Sequence, residues 1–252
     1  MSIWIALLSA ALGYLLGSVS FARIFGRDVA AEDDLGRTAF EVAGSDKQFE
    51  LRSISASSIA FRKGPKMGCA TSILDMLKAA LPTLAFRLLY PDQPYHLIAA
   101  AAAVAGHNYP VYYRFRGGRG MSPMFGGLFV IDWLAIPVTT IGSSLIGILI
   151  FRDIFISYMG GPVLLIPWMW FRFRDWQHVL FALVVNVLFW TAAIPELKQY
   201  VALKRSGDIR RDKLLEGLQQ AHSGSLIRAI QKRGWIQGGS EAGTEETDAS
   251  AQ

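Results

Sequence analysis

Residues 3–22, "IWIALLSAALGYLLGSVSFA", run for about 20 positions without a charged side chain, the length a helix needs to cross roughly 30 Å of hydrocarbon. Inside a bilayer every backbone N–H and C=O must be satisfied by the protein itself, so such a run predicts a spanning helix. A secretory leader is the rival reading, but no basic residue precedes the run, and Arg23 and Arg27 follow it instead. That asymmetry predicts an outside N-terminus. Gly13 and Gly17, four apart, supply a smooth stripe for close packing against a second helix.

The rest of the chain repeats the pattern. With 52% hydrophobic and 18% charged residues, it is too apolar for an ordinary soluble domain of its length. The net charge of +5 comes from basic residues lying between apolar runs, where cytoplasmic loops of membrane proteins carry them. This favours anionic headgroups and phosphorylated substrates over nucleic acid. The lone Cys69 allows no intramolecular disulfide and no cysteine-based metal cluster, and its apolar neighbours predict an inert packed thiol.

Residues 23–67 are polar and read as a loop or small cytoplasmic subdomain, with an insertion at about 28–50. Residues 69–90 form the next apolar run, interrupted by Asp75 and Lys78 and so a helix with one polar stripe. The alanine-rich residues 97–106 predict a helix buried tightly among neighbours. The run over residues 121–151 is too long for one span and contains Asp132 and Pro137, so it predicts a helical hairpin. Residues 154–171 and 176–194 add two more spans, bordered by tryptophans of the kind that settle at membrane interfaces.

The expected fold is therefore an all-α, polytopic integral membrane protein with about seven transmembrane helices, the N-terminus outside and the C-terminus cytoplasmic. An odd count keeps the basic segments 23–66, 114–119 and 198–233 on the cytoplasmic side, while leaving Arg172 and Arg174 outside. The transmembrane domain covers 1–206, an amphipathic helical segment on the inner surface covers 207–235, and an acidic disordered tail covers 236–252.

Chemistry concentrates in "GHNYPVYYRFRGGRGM", residues 106–121. Gly117, Gly118 and Gly120 let backbone amides approach a ligand closely, and Arg119 sits among them just before an apolar helix. That combination suits a phosphate; a positive-inside loop with glycines for the turn is the plainer alternative. His107 can serve as base or hydrogen-bond donor, or simply as a structural residue at a helix end.

This stretch resembles the signature Gly-His-x-(Phe/Tyr)-Pro-x-(Phe/Tyr)-x-x-Phe-x-Gly-Gly-Lys-Gly of the bacterial acyl-phosphate:glycerol-3-phosphate acyltransferases, with Arg119 standing where the family has lysine. "GYLLGSVSFARI" is similar to the family's opening, and "KMGCATSILDMLKAA" is similar to its Lys-x-Gly segment followed by Asp-x-Leu-Lys-Gly, which gives Asp75 and Lys78 a motif context. Two motifs depart. "RSISASSIAFRKG" lacks the glycines and asparagines of the family's phosphate-binding segment, and "LKQYVALKRSGDI" lacks the histidine and asparagine of its third motif.

The resemblance implies acyl transfer from acyl-phosphate to glycerol 3-phosphate, giving lysophosphatidic acid, at a bacterial plasma (inner) membrane and without metal or coenzyme. On that reading Arg119 with Gly117, Gly118 and Gly120 binds phosphate, and Ser55, Ser58 and Arg62 complete the cradle. His107 and Arg119 carry the catalysis, and Asp75 with Lys78 form a supporting polar pair. The competing class is a non-catalytic membrane paralogue that binds a phosphorylated lipid or a partner protein. A transporter is a third class, but no pair of interrupted helices repeats in the two halves.

Overall fold

The computed structural model describes residues 1–28, 38–41, 48–51 and 53–206. The predicted insertion at 28–50 falls mostly outside these residues, and the segments at 207–235 and 236–252 fall wholly outside them. The chain divides into two units, residues 1–40 with 49–202 and residues 41–48 with 203–252. Everything that follows concerns the first, apart from strand and helix ends at residues 41, 48 and 203–205.

The described chain is predominantly helical, with α1 (Ile3–Gly17), α2 (Phe21–Gly26), α3 (Ala56–Lys63), α4 (Pro65–Leu89) and α5 (Tyr95–Asn108) in its first half. The second half carries α6 (Met121–Ile131), α7 (Ala135–Leu145), α8 (Ile154–Met159), α9 (Gly161–Phe173) and α10 (Trp176–Arg205). Strands β1 (Thr38–Glu41) and β2 (Gln48–Leu51) pair into a small ribbon at the insertion.

Among the described residues three helical stretches are long and apolar enough to cross a membrane: Ile3–Gly26, Pro65–Leu89 and Trp176–Arg205. Their large apolar side chains face outward: Leu8, Leu12 and Leu15 on α1 and Leu81, Leu84 and Leu88 on α4 are all exposed, as lipid-facing residues should be. The first apolar run is not one unbroken helix. It turns at residues 18–20 and restarts as α2, whose first turn is capped when Ser20 Oγ accepts from the Arg23 amide at 3.4 Å.

The run over 121–151 breaks into two helices, α6 and α7, joined at Asp132, Trp133 and Leu134. Asp132 is buried and accepts from Trp168 Nε1 at 2.9 Å, with Arg172 Nε 3.7 Å away. Arg87, in the last turn of α4, donates to the carbonyls of Val130 and Ile131 and so satisfies the end of α6. At 11 residues, α6 is about 16 Å long, roughly half of a hydrocarbon core.

Small residues set the closest approaches. A side chain on Gly13 or Gly17 would run into the backbone of Ala99 or Ala103, so α1 lies directly against the alanine face of α5, as the stripe predicts. Gly126 on α6 stands in the same relation to Met76 on α4. The main core joins Val104 of α5, Leu128 of α6, Met169 of α9 and Val185 of α10.

Two expectations need correction. Cys69 is exposed on α4 rather than packed, because the buried stripe of α4 carries Gly68, Thr71, Asp75 and Lys78 instead. The last helix does not end near residue 194 but continues through Pro195 to Arg205. Proline removes one intrahelical hydrogen bond, and neighbouring packing of Phe189 and Ala193 with Met159 keeps the helix on course.

Candidate active site at the glycine and arginine loop

The loop after α5 is built by backbone bonding and by strain held in place from outside. Arg114 and Phe115 both adopt the left-handed conformation, at φ 50° and 59°, which is costly for side chains of their size. The buried Arg23 holds this turn by donating to the Arg116 carbonyl, with its guanidinium 4.4 Å from the Tyr113 ring centroid. Tyr14 Oη donates to the Tyr109 carbonyl at 2.7 Å. Two backbone bonds fix the glycines: the Gly118 amide donates to the His107 carbonyl at 3.1 Å, and the Ile54 amide donates to the Gly117 carbonyl at 3.3 Å.

The second bond matters for the site, because it ties the serine segment before α3 to the glycine loop. Gly118 lies against His107 Nε2, where a Cβ would collide with the ring, and Gly120 takes φ 83° against Asn108 Oδ1. Glycine is required at both positions, at the first by space and at the second also by backbone conformation.

Arg119 is buried, 7% exposed. Its Nη1 donates to Glu196 Oε2 at 3.2 Å and to Met159 Sδ at 3.8 Å, and the guanidinium lies 5.6 Å from the Tyr158 ring centroid. Asp75, Lys78 and His107 form a second buried cluster. Lys78 Nζ is 2.7 Å from Asp75 Oδ1 and 3.0 Å from His107 Nδ1, and donates to the Val19 carbonyl at 2.5 Å. His107 Nδ1 is 3.7 Å from Asp75 Oδ1. The expected Asp75 and Lys78 pair is thus a triad that includes His107.

Arg119, Asp75 and His107 converge on a cavity of about 460 Å³. Ser55, Asp75, His107, Arg119 and Gly120 line it together, so the serine segment and the arginine loop share one space. Ser55 Oγ is buried with no hydrogen-bond partner among the described residues. The remaining wall is shared by α4, α6, α7 and α8: Ser72 and Ser122 touch through their hydroxyls at 2.9 Å, and Thr139, Ser143, Ser157 and Tyr158 extend the lining.

The other expected site residues stand apart from the cavity wall. Ser58 Oγ donates to the Ser55 carbonyl at 2.8 Å and accepts from the Ser55 amide at 3.2 Å, so it shapes the start of α3. Arg62 lies in the last turn of α3 and, like Gly117, Gly118 and Lys78, is not part of the lining. Glu196 escapes a reading of the sequence, because it follows a proline at what looks like the end of an apolar run. Among the described residues no group of three or more His, Cys, Asp or Glu side chains is arranged to hold a metal ion.

A family profile described as Glycerol-3-phosphate acyltransferase matches residues 7–202. A protein of that name from Pelagibacter ubique is 30% identical over 190 residues, covering 73% of this chain and 88% of the relative. Another from Myxococcus xanthus is 33% identical over 152 residues, covering 60% and 70%. The crystal structure of PlsY (YgiH), an integral membrane glycerol 3-phosphate acyltransferase, in its glycerol 3-phosphate form is similar in fold, with a TM-score of 0.63 at 22% identity, covering 82% of this chain and 94% of that one.

Proposed function

Since the chain belongs to the glycerol-3-phosphate acyltransferase family, we propose that the cavity beside Arg119 is where its two phosphorylated substrates meet. The protein is a membrane acyltransferase that moves an acyl group from acyl-phosphate to glycerol 3-phosphate, giving lysophosphatidic acid and inorganic phosphate. The observation that carries the site is the shared cavity of Ser55, His107, Arg119 and Gly120.

The chemistry asks for positioning and electrostatics. Acyl-phosphate is an activated mixed anhydride, so the protein has to hold two anions together, favour the developing oxyanion and keep water out. Arg119 binds a phosphate through the guanidinium edge that Glu196 leaves open, and Gly120 brings backbone close to it. Ser55, whose hydroxyl has no other partner among the described residues, donates to the same anion.

Attack by the first hydroxyl of glycerol 3-phosphate forms the ester C–O bond and opens the carbonyl to a tetrahedral oxyanion. Collapse breaks the bond from the acyl carbon to the bridging phosphate oxygen, and phosphate leaves with that electron pair. The hydroxyl proton passes to a substrate phosphate oxygen. Gly117, Gly118 and Ser58 act indirectly by shaping the loop and the start of α3, and Arg62 adds positive charge beside it. Asp75 and Lys78 hold His107. Seven crossings, an outside N-terminus and a bacterial plasma membrane complete the proposal, with membrane lipids around the exposed apolar faces.

The test uses purified protein in detergent with acyl-phosphate and glycerol 3-phosphate, scored for phosphate release. Turnover that Arg119→Ala abolishes supports the reading. Absence of turnover with every acyl chain tried, with phospholipid binding retained, overturns it in favour of a non-catalytic binding protein.

A further inference from the structure

We propose that Glu196 is a positioning residue that pins Arg119 by a single nitrogen, so that the opposite edge of the guanidinium is presented to a phosphate. This deepens the proposed function and rests on its assignment of Arg119 as the phosphate-binding group.

Both partners are buried, Arg119 at 7% and Glu196 at 2% exposure, and lie 77 residues apart in sequence. Every hydrogen bond Arg119 makes among the described residues uses Nη1, one to Glu196 Oε2 and one to Met159 Sδ. Nε and Nη2 make no hydrogen bond among the described residues, and Arg119 lines the cavity, which leaves these N–H groups for a ligand there. Three donors in a fixed plane remain, an arrangement that fits two oxygens of one phosphate.

The carboxylate does two opposing things. It fixes the direction of the guanidinium, which a long flexible side chain facing a cavity would otherwise lose. It also places a negative charge beside the cation that must attract an anion, which weakens phosphate binding. Arginine permits both, because pinning and binding use different nitrogens. A lysine would set one nitrogen against both the carboxylate and the phosphate, with no planar fork left to present to the anion. The helix α10 has to continue past Pro195 for this pair to form, since Glu196 is the next residue.

The experiment measures phosphate binding and turnover separately, in full-length detergent-solubilised protein. Calorimetry with inorganic phosphate should show binding about tenfold tighter in Glu196→Gln than in wild type, whether or not the wild type turns over. Unchanged or weaker binding overturns the inference. In the phosphate-release assay, Glu196→Gln should lose about tenfold in kcat without a rise in KM for glycerol 3-phosphate; a raised KM at unchanged kcat overturns it.

Arg119→Lys should lose about 100-fold in turnover, and adding Glu196→Gln should restore about tenfold of that by removing the carboxylate that competes with phosphate for the same nitrogen. Additive losses overturn the inference. If Glu196→Gln fails to fold, Glu196→Asp keeps the charge but retracts it, and should lower kcat without tightening phosphate; tightened binding in that variant overturns the pinning role. Lack of wild-type turnover combined with tighter phosphate in Glu196→Gln would sink the acyltransferase mechanism and leave the pin standing.

Discussion

Lys78 Nζ lies 3.0 Å from His107 Nδ1, and that contact fixes what the histidine can do. An ammonium has donors and no acceptor, and this one also serves Asp75 at 2.7 Å and the Val19 carbonyl at 2.5 Å. When the lysine is charged, Nδ1 accepts from it and the imidazole proton sits on Nε2, the nitrogen beside Gly118. In that state His107 can donate from Nε2 on the side of the glycine loop.

His107→Gln keeps a donor near the Nε2 position and should retain turnover within about tenfold of wild type, while His107→Ala should lose about 100-fold. Steady-state phosphate release from both variants reads the difference. A glutamine variant as inactive as the alanine one would assign His107 the role of base.

Lys78→Met leaves the Asp75 carboxylate, 1% exposed, without its cation. The expected loss is about 3–5 kcal/mol, measured by denaturant unfolding in detergent. Adding Asp75→Asn removes the stranded charge and should recover more than half of that loss. A double variant no more stable than Lys78→Met alone would mean that the triad is not a closed unit.

Gly118→Ala drives a methyl group into the His107 ring; it should cost about 1–3 kcal/mol and depress turnover. Gly64 is the control: its φ is 87° but a Cβ there meets nothing within 4 Å. Gly64→Ala should cost about 1–3 kcal/mol through backbone strain alone and leave kcat near wild type. Equal kcat losses in the two variants would contradict the loop assignment.

Asp175 begins α10, with Oδ1 accepting from the Gln177 amide at 2.8 Å and the His178 amide at 3.1 Å. Partial burial pushes its carboxyl up, but those amides and the His178 ring 2.7 Å away outweigh it and hold the group below its ordinary 3.8. A depressed folded value gives stability that is complete above 3.8 and lost as pH falls through the folded value. Asp175→Ala should cost about 1 kcal/mol at neutral pH, with the gap to wild type closing as pH drops from about 5 to about 2. Thermal unfolding at several pH values checks it, and a gap that widens toward acid would refute the cap.

Much of the site could be found along the chain because its parts are local in sequence. Gly118 and Arg119 are neighbours, and their loop stands out by charge and glycine between two apolar runs. Asp75 and Lys78 are one turn apart on α4, so their pairing follows from helix geometry. Ser55 could be named from its segment alone, although its approach to Arg119 depends on the backbone bond from Ile54 to Gly117. Helix ends were less legible: Ser20 cuts the first run by capping a new helix, and Pro195 fails to end the last one because packing outweighs one missing hydrogen bond.

The sequence by itself determined that this chain carries apolar helices of membrane-spanning length and a glycine and arginine loop between two apolar runs, since a spanning helix bonds its backbone internally and concentrates most charge outside the hydrocarbon. Only the tertiary structure decided which partners those charges take. His107 joins Asp75 and Lys78 across 29 or more residues, and Glu196 reaches Arg119 across 77. Such pairings depend on how each helix is rotated about its axis and how closely its neighbours approach. Here the contacts of Gly13, Gly17 and Gly126 set those distances, and a linear pattern of residues does not record them.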